Sequence, residues 1–551
     1  MSDRLEATLR RIDGRGYKAY KDLEGQEWEA QGVRLRMVKV QGDPFAPPSI
    51  VEARVGLRVP KDTLDAPIPV CDLLYRRLHA LTPRYSSRMG EGGSGSITIP
   101  RPSPLVIARS GAMCRSQEGA MEAAIRLRAG LPSRGRRILG GRARELLLDR
   151  IPKLVAEAAS MEARTVERHV YNWRVQEWIR EALPRHGLVS FIGNGSILPR
   201  RCGGCWEPLE GAVPFQSPPS LEVVIELPDG SSVEGMGVRR GLTVIAGPAF
   251  HGKTTLAEAI ASGVWNHVEG DGRERVVTIR NAVTLESENG RWVSCVDLSQ
   301  WIQDLPGRRD TRCFTTTDAS GATSLFASLQ EAIEAGAEAL IVDEDMTATN
   351  ALHRDQWVER VTGKRTIITL ADAAGRLKRA GISLVIVASG AIPLLSQADT
   401  IIVMDEYRPV DATWYREEAR RVAEQAGYKP EEGTYQKPAP RTISKPVRIE
   451  KHKVRGEVLE ARGLEDRVNL AALRQLEEQG QVTTAASLAV RLAGSRCGKP
   501  VDARALGEKL SRGLFTEVLG PRVGPEAAEV RGLDIAWILN RLPGLGFSSG
   551  C

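Results

Sequence analysis

Aromatic residues are scarce: Phe, Trp and Tyr together make up 5% of the 551 residues. Few rings are on hand to stack unpaired bases, so any nucleic-acid contact must be led by phosphate and weaken with salt. No apolar run reaches the length that crosses a bilayer, so no membrane partner is expected. Asp3, Arg4, Glu6, Arg10 and Arg11 stand where a secretory signal needs an apolar stretch, and the expected compartment is cytoplasmic. Charge of one sign is lacking too. With 76 basic against 69 acidic residues, a net of +7, any strong positive field has to be local. The eight cysteines are scattered and are expected to be reduced thiols. Cys202 and Cys205 form the single CxxC, with no second pair or nearby His pair to complete a zinc site. A redox dithiol is one reading of that pair; two incidental thiols in a turn is the plainer one. No internal repeat points to a solenoid.

What is present is a hydrophobic content of 42% with 26% charged residues, ordinary for a globular protein and enough chain for two to four domains. Its organising stretch runs from Gly241 to Ala261. Leu242–Ala246 is an apolar run that reads as a buried parallel strand. Gly247-Pro248-Ala249-Phe250-His251-Gly252-Lys253-Thr254 follows and fits G-x-x-x-x-G-K-[ST], and Thr255 onward has helix-forming composition. Strand, glycine loop and helix in this order set the motif apart from a chance glycine turn. Gly247 and Gly252 let successive backbone N–H groups turn toward phosphate oxygens, with Phe250, His251 and Thr255 filling the same loop. Lys253 is expected to reach the β- and γ-phosphates of ATP, and the Thr254 hydroxyl to ligate Mg²⁺. His251 reads as a shape-filling residue.

Downstream, Ala339–Asp343 is an apolar strand that ends in Asp343 and Glu344. Asp343 would hold Mg²⁺ and Glu344 would act as general base toward water. Ahead of that strand, Ser320-Gly321 opens a good helix pattern ended by Gly336, a hydroxyl and exposed N–H groups at a helix start. Ser383–Val387 is a further apolar strand leading to Ser389. Thr400–Met404 is another, followed by Tyr407-Arg408 at its carboxyl end, a place that favours a site role as much as a buried aromatic with a paired arginine.

AGPAFHGKTTL, LPGRRDTRCFTTTDASGATS, IVDEDMTATN and VMDEYRPVDAT, with GLPSRGRRILG, GSILPR and VPFQSP upstream, together resemble the family of predicted ATPases of the ABC class. The resemblance spans roughly residues 100–415. It implies an α/β fold, a P-loop NTPase of ABC type with a mixed or parallel sheet and helices, an α+β N-terminal domain and a mainly helical C-terminal region. Two stretches, the Pro- and Gly-rich 196–219 and the Pro-, Lys- and Arg-rich 430–456, read as boundaries and divide the chain into residues 1–215, a family-specific domain; 216–430, the ATPase core; and 431–551, a basic linker and helical domain. The resemblance also implies ATP hydrolysis with Mg²⁺ in a head-to-tail homodimer, Ser320-Gly321 of one copy facing the γ-phosphate held on Lys253 of the other. The sequence departs from the family in three places. Ser389 stands where a histidine is usual, Ala322 and Thr323 replace the second glycine and the glutamine of the signature, and the usual loop glutamine is not evident, Gln300 and Gln303 being candidates.

The flanks suggest a partner. Residues 126–150 carry eight arginines, with Arg134, Arg136 and Arg137 in a loop, and Arg441–Arg455 is a second basic stretch. Phosphate-backbone contact, RNA ahead of DNA, is one reading; a solvated basic face and an ordinary linker are the plain ones. An ATP-switched scaffold that remodels a protein partner is the alternative function. A small-molecule kinase fits less well, because it has no need of the Ser320 motif.

Overall fold

Burial alternates along strand Val33–Lys39: Val33, Leu35 and Met37 are inward, Arg34 and Arg36 outward. That period of two is the signature of a sheet with one wet face. The computed structural model describes residues 2–303, 305, 310–354, 361–495 and 502–548. Residues 306–309 of the LPGRRDTRCF motif, Cys497 and Cys551 lie outside them.

The chain forms two units, one of Met1–Trp173 with Leu506–Val530, the other of Arg174–Ala505 with Arg531–Cys551. In the first, an antiparallel sheet runs Glu27–Ala30, Val33–Lys39, Ser49–Leu57, Ala120–Ala129, Ile97–Thr98, with Ala112–Gln117 also paired to Ala120–Ala129. Residues 50–70 alternate like a strand followed by a loop; strand Ser49–Leu57 forms there, and the loop gives way to helix Pro67–Tyr85, with proline in its first turn. Residues 150–186 carry one long helical pattern, but the helix breaks in two, Ile151–Ala159 and Ala163–Ala182, because Ser160 (ψ 75°) leaves the helical region. Asp72 is fully buried in this unit and lies against Arg76, Arg109 and His169. Burial alone would raise its carboxyl pKa; the guanidinium groups of Arg76 and Arg109 outweigh that and hold it well below the usual range.

The second unit holds a six-stranded sheet in the order Ala282–Leu285, Ala339–Asp343, Ser383–Val387, Leu242–Ala246, Thr400–Asp405, Arg408–Asp411. The first five strands are parallel and the last is antiparallel. The strands at residues 242–246, 339–343 and 383–387 are buried at every position, as the apolar runs require of a sheet covered on both faces. The apolar alternation from Leu221 and the turn residues Pro228-Asp229-Gly230 make a hairpin, Glu222–Glu226 with Ser232–Arg239, in a separate antiparallel sheet with Leu188–Gly193 and Val276–Thr278.

The C-terminal region is helical over Gln479–Ala493, Ala503–Ser511 and Gly532–Leu539. It also carries strands where the sequence reads as linker and helix. Lys451–Arg455 and Val458–Arg462 pair across a two-residue turn at Gly456-Glu457, with Gly456 at φ +56°, and Val468–Asn469 adds a third strand. The reduced-thiol expectation is corrected at six cysteines: Cys71–Cys114, Cys202–Cys205 and Cys295–Cys313 are disulfides. Tertiary placement, not spacing, brings the first and third pairs together.

Candidate active site

Five parallel strands send their carboxyl ends to one edge of the sheet, and each delivers a polar segment there. Leu285 is followed by Glu286, Asp343 by Glu344, Val387 by Ser389, Ala246 by the glycine loop, and Asp405 by Glu406-Tyr407. In an open α/β sheet this edge is where ligands bind.

The loop between Ala246 and Lys253 is held tightly. Gly247 has φ +132°, and a Cβ on it would lie 2.4 Å from the Met404 carbonyl oxygen. Gly252 (φ +96°) is the cap of helix Lys253–Ser262. Lys253 Nζ donates to the carbonyl oxygens of Gly247 and Pro248, both at 2.8 Å, so the lysine spans the concavity its own loop encloses. His251 is more than a filler: its Nδ1 accepts from the Glu406 N–H at 2.9 Å and ties the loop to the turn after Asp405. Phe250 is 93% exposed, and Thr255 continues the helix.

Thr254 Oγ1 donates to Asp343 Oδ2 at 2.8 Å. Asp343 is buried, and its other oxygen accepts from the Asp345 N–H at 3.1 Å. One hydroxyl and one carboxylate side by side at the start of the loop helix are oxygen donors of the kind a hard divalent cation takes. Among the described residues no cluster of three or more His, Cys, Asp or Glu is placed to hold a metal by itself. A magnesium that draws its remaining ligands from phosphate and water needs none.

Glu344 is oriented at both oxygens. Oε2 accepts from the Ser389 N–H at 2.7 Å, and Oε1 lies 3.4 Å from His353 Nε2. Ser389 therefore meets Glu344 through its backbone rather than the hydroxyl that the sequence singles out. The imidazole that does face Glu344 is that of His353, just past the short helix Thr349–Leu352. Sequence reading missed it, although the chain has seven histidines and this one stands close behind Asp343-Glu344.

Ser320 caps helix Gly321–Glu334 in an extended conformation, without a side-chain capping bond; its Oγ lies 3.0 Å from Thr323 Oγ1. A Cβ on Gly321 would lie 3.2 Å from Ala348 Cβ, so the signature segment packs on the loop that follows Glu344. Gln300 is engaged elsewhere, with Arg376 at 2.8 Å and the Gln436 N–H at 3.0 Å, and Gln303 N–H donates to the Thr366 carbonyl at 2.9 Å. The strand beside Asp343 leads to Glu286, which with Thr254 and Asp343 lines a cavity of about 450 Å³. Residues 456–482 supply its far wall, where Arg474 contacts Glu286 and lies 3.5 Å from Met346 Sδ. Burial raises the Glu286 carboxyl pKa, Arg474 opposes that, and Glu288 and Asp343 add to it.

Residues 162–441 match a family of ABC ATPases described as the P-loop domain, and residues 2–161 match one described as ATPase of the ABC class, N-terminal. The chain belongs to the ABC-class ATPases. An uncharacterized protein of Methanocaldococcus jannaschii is 32% identical to it over 263 residues, 45% of this chain and 57% of the relative. This ABC-class ATPase thus spans a little over half the length of that curated relative. Among solved structures it is similar to CbiO1 of Clostridium perfringens, part of the ABC transporter complex cbiONQ. Identity there is 13% over 44% of this chain and 95% of the other, at a TM-score of 0.25. A second is the ADP conformation of MJ1267, an ATP-binding cassette of an ABC transporter, with 15% identity over 37% and 92% of the two chains and a TM-score of 0.23. Among the described residues of the ATPase, no helix is long and apolar enough to cross a membrane.

The first basic stretch of this ATPase is largely neutralised from within. Arg126 is buried on Glu52 at 2.7 Å, Arg144 meets Glu6 at 2.9 Å and Arg150 meets Glu145 at 2.7 Å. Arg136 pairs with Asp43 at 2.9 Å, and Arg137 donates to the Gly14 carbonyl at 3.2 Å. Arg134 is exposed on a two-residue strand. Arg441 is buried against Glu334 at 2.7 Å and leaves the second stretch, whereas Lys451, His452, Lys453 and Arg455 are exposed.

Proposed function

We propose that this protein hydrolyses ATP with Mg²⁺ as a nucleotide-bridged homodimer and couples the cycle to nucleic acid, RNA ahead of DNA. The observation that carries the hydrolytic part is the single edge on which Lys253, the Thr254–Asp343 pair and the doubly held Glu344 meet.

Backbone N–H groups from Ala249 to Thr255 line the phosphate chain, and Lys253 exchanges two neutral carbonyl acceptors for charged phosphate oxygens, a stronger bond. Thr254 and Asp343 would hold magnesium, whose charge offsets that gathering on the phosphates. Glu344, fixed by the Ser389 N–H and faced by His353, takes the proton of the attacking water. Ser320 makes no capping bond to the backbone of its own helix, so the N–H groups at the helix start face the γ-phosphate of a second copy, and its hydroxyl, bonded to Thr323 Oγ1, turns to that phosphate on binding. Phosphate release by wild type against Lys253→Ala tests the site: turnover in the variant equal to wild type would sink it.

Exposed Arg134 and Arg137, with the basic strand Lys451–Arg455, support nucleic-acid coupling. The internal pairing of Arg126, Arg136, Arg144 and Arg150 favours the second reading, an ATP-switched scaffold for a protein partner. Single-stranded RNA added at two salt concentrations separates them. Stimulation of hydrolysis that fades with salt supports the first; indifference to RNA at low salt leaves the second.

A further inference from the structure

The three disulfides differ in what they close. Cys71–Cys114 spans a sequence separation of 43 and Cys295–Cys313 one of 18, and each has a buried member, Cys71 and Cys295. Cys202–Cys205 spans a separation of 3; Cys202 is exposed and Cys205 half-buried. A disulfide stabilises chiefly by restricting the unfolded chain, and the restriction grows with the loop it closes. The shortest loop of the three therefore gains least from its bond. Among the described residues no third His, Cys, Asp or Glu joins the pair to hold a metal.

The loop also keeps its shape without the bond. The Cys205 N–H donates to the Cys202 carbonyl at 3.0 Å, closing a turn with Gly203 and Gly204 at its centre and Gly204 at φ +81°. Behind the turn, the Arg201 N–H donates to the Glu207 carbonyl at 2.9 Å and the Leu209 N–H to the Pro199 carbonyl at 3.0 Å. These bonds flank an antiparallel bridge between Arg200 and Pro208. Arg200 fixes the stem to the body: Nη2 donates to Oδ2 of buried Asp271 at 2.9 Å and Nη1 to its carbonyl at 2.7 Å. A Cβ on Gly203 or Gly204 would meet nothing within 4 Å, so the turn is open to an incoming group. Two thiols held this way stay in reach of each other after the bond opens. A structural staple has no need of that; a reactive pair does.

We propose that Cys202 and Cys205 form a thiol–disulfide exchange site whose co-substrate is a dithiol. A thiolate of that dithiol attacks the sulfur of Cys202, the exposed member. The Cys202–Cys205 bond breaks, and its electron pair leaves on Cys205 Sγ, which takes the proton of the dithiol's second thiol. The thiolate so formed attacks its own sulfur in the mixed disulfide. Cys202 Sγ departs as a thiolate and takes from water the proton that the first thiol gave up. One disulfide in this chain is reduced to two thiols, and one dithiol is oxidised to a disulfide. The site does not depend on the nucleotide reading.

The test uses the folded full-length chain with its free thiols blocked beforehand. Dithiothreitol is added, new thiols are alkylated with iodoacetamide at timed intervals, and each cysteine is read by peptide mass spectrometry. Cys202 and Cys205 are expected to be labelled ahead of Cys71, Cys114, Cys295 and Cys313, with the thermal midpoint unchanged at that stage. Oxidised glutathione is expected to reclose the pair and abolish its labelling. A second measurement adds oxidised glutathione to reduced Cys205→Ser and Cys202→Ser. The first is expected to take up a glutathionyl group at Cys202, faster than the second does at Cys205. Opening only in denaturant, or opening that lowers the midpoint, would make the bond a structural staple and overturn the proposal. So would a pair that stays open with oxidised glutathione, or uptake faster at Cys205 than at Cys202.

Discussion

Glu344 shows how little of a catalytic residue is in its own letter. Its two oxygens are fixed by a backbone N–H from Ser389 and by His353, groups that arrive from two other segments. Glu344→Gln keeps the shape and loses the base, so phosphate release should fall by about 10²–10⁴-fold while nucleotide binding persists. His353→Ala should lower the rate less and leave ATP affinity intact, a split that separate binding and turnover measurements would expose. Asp72 offers the same lesson in stability. Replacing it with Asn takes the carboxylate from Arg76, Arg109 and His169 at once, and a loss of about 3–5 kcal/mol in unfolding free energy is expected, the usual cost of breaking a buried ion pair. A loss below about 1 kcal/mol in a denaturant titration would show that the network contributes little.

Among the elements, those that declare themselves locally were the legible ones. The strand Leu242–Ala246, its glycine loop and its helix follow one another without interruption, so pattern alone suffices. The strand Ala339–Asp343 is equally plain. What could not be read is strand order. Glu286 lies beside Asp343 because the strand Ala282–Leu285 happens to pair with Ala339–Asp343, a non-local choice that no window of residues contains. For the same reason the sequence does not show that the Gln300 side chain meets Arg376 and the Gln436 backbone. The break at Ser160 and the strands hidden in the linker-like Lys451–Arg462 segment were lost to weak local signals that tertiary pairing decides. Helix Gly321–Glu334 carries its own prediction. Ser320→Arg puts a long cation at its exposed start, where the helix dipole disfavours it, and should spare ATP binding but abolish hydrolysis. Unchanged hydrolysis would remove Ser320 from the reaction.

At the scale of the molecule, acid should act through carboxylates held ionised. Burial would raise Glu177, but Arg280 and Arg180 hold it down to about 2 from an ordinary 4.5. The unfolded chain binds the proton first as pH falls, so this contribution to stability is whole above about pH 4.5 and disappears toward pH 2. The thermal midpoint of the protein should drop through that window, and the drop should shrink in Glu177→Gln. Assembly is the other whole-molecule expectation. Glu344→Gln with ATP and Mg²⁺ should sediment at twice the 60.1 kDa chain mass and return to a single chain when nucleotide is removed. The most direct test of the account is steady-state phosphate release by wild type, Lys253→Ala and Glu344→Gln at saturating ATP and Mg²⁺, with bound nucleotide measured in parallel. The account predicts turnover by wild type alone and retained ATP in Glu344→Gln but not in Lys253→Ala. Wild-type turnover in Glu344→Gln would contradict it.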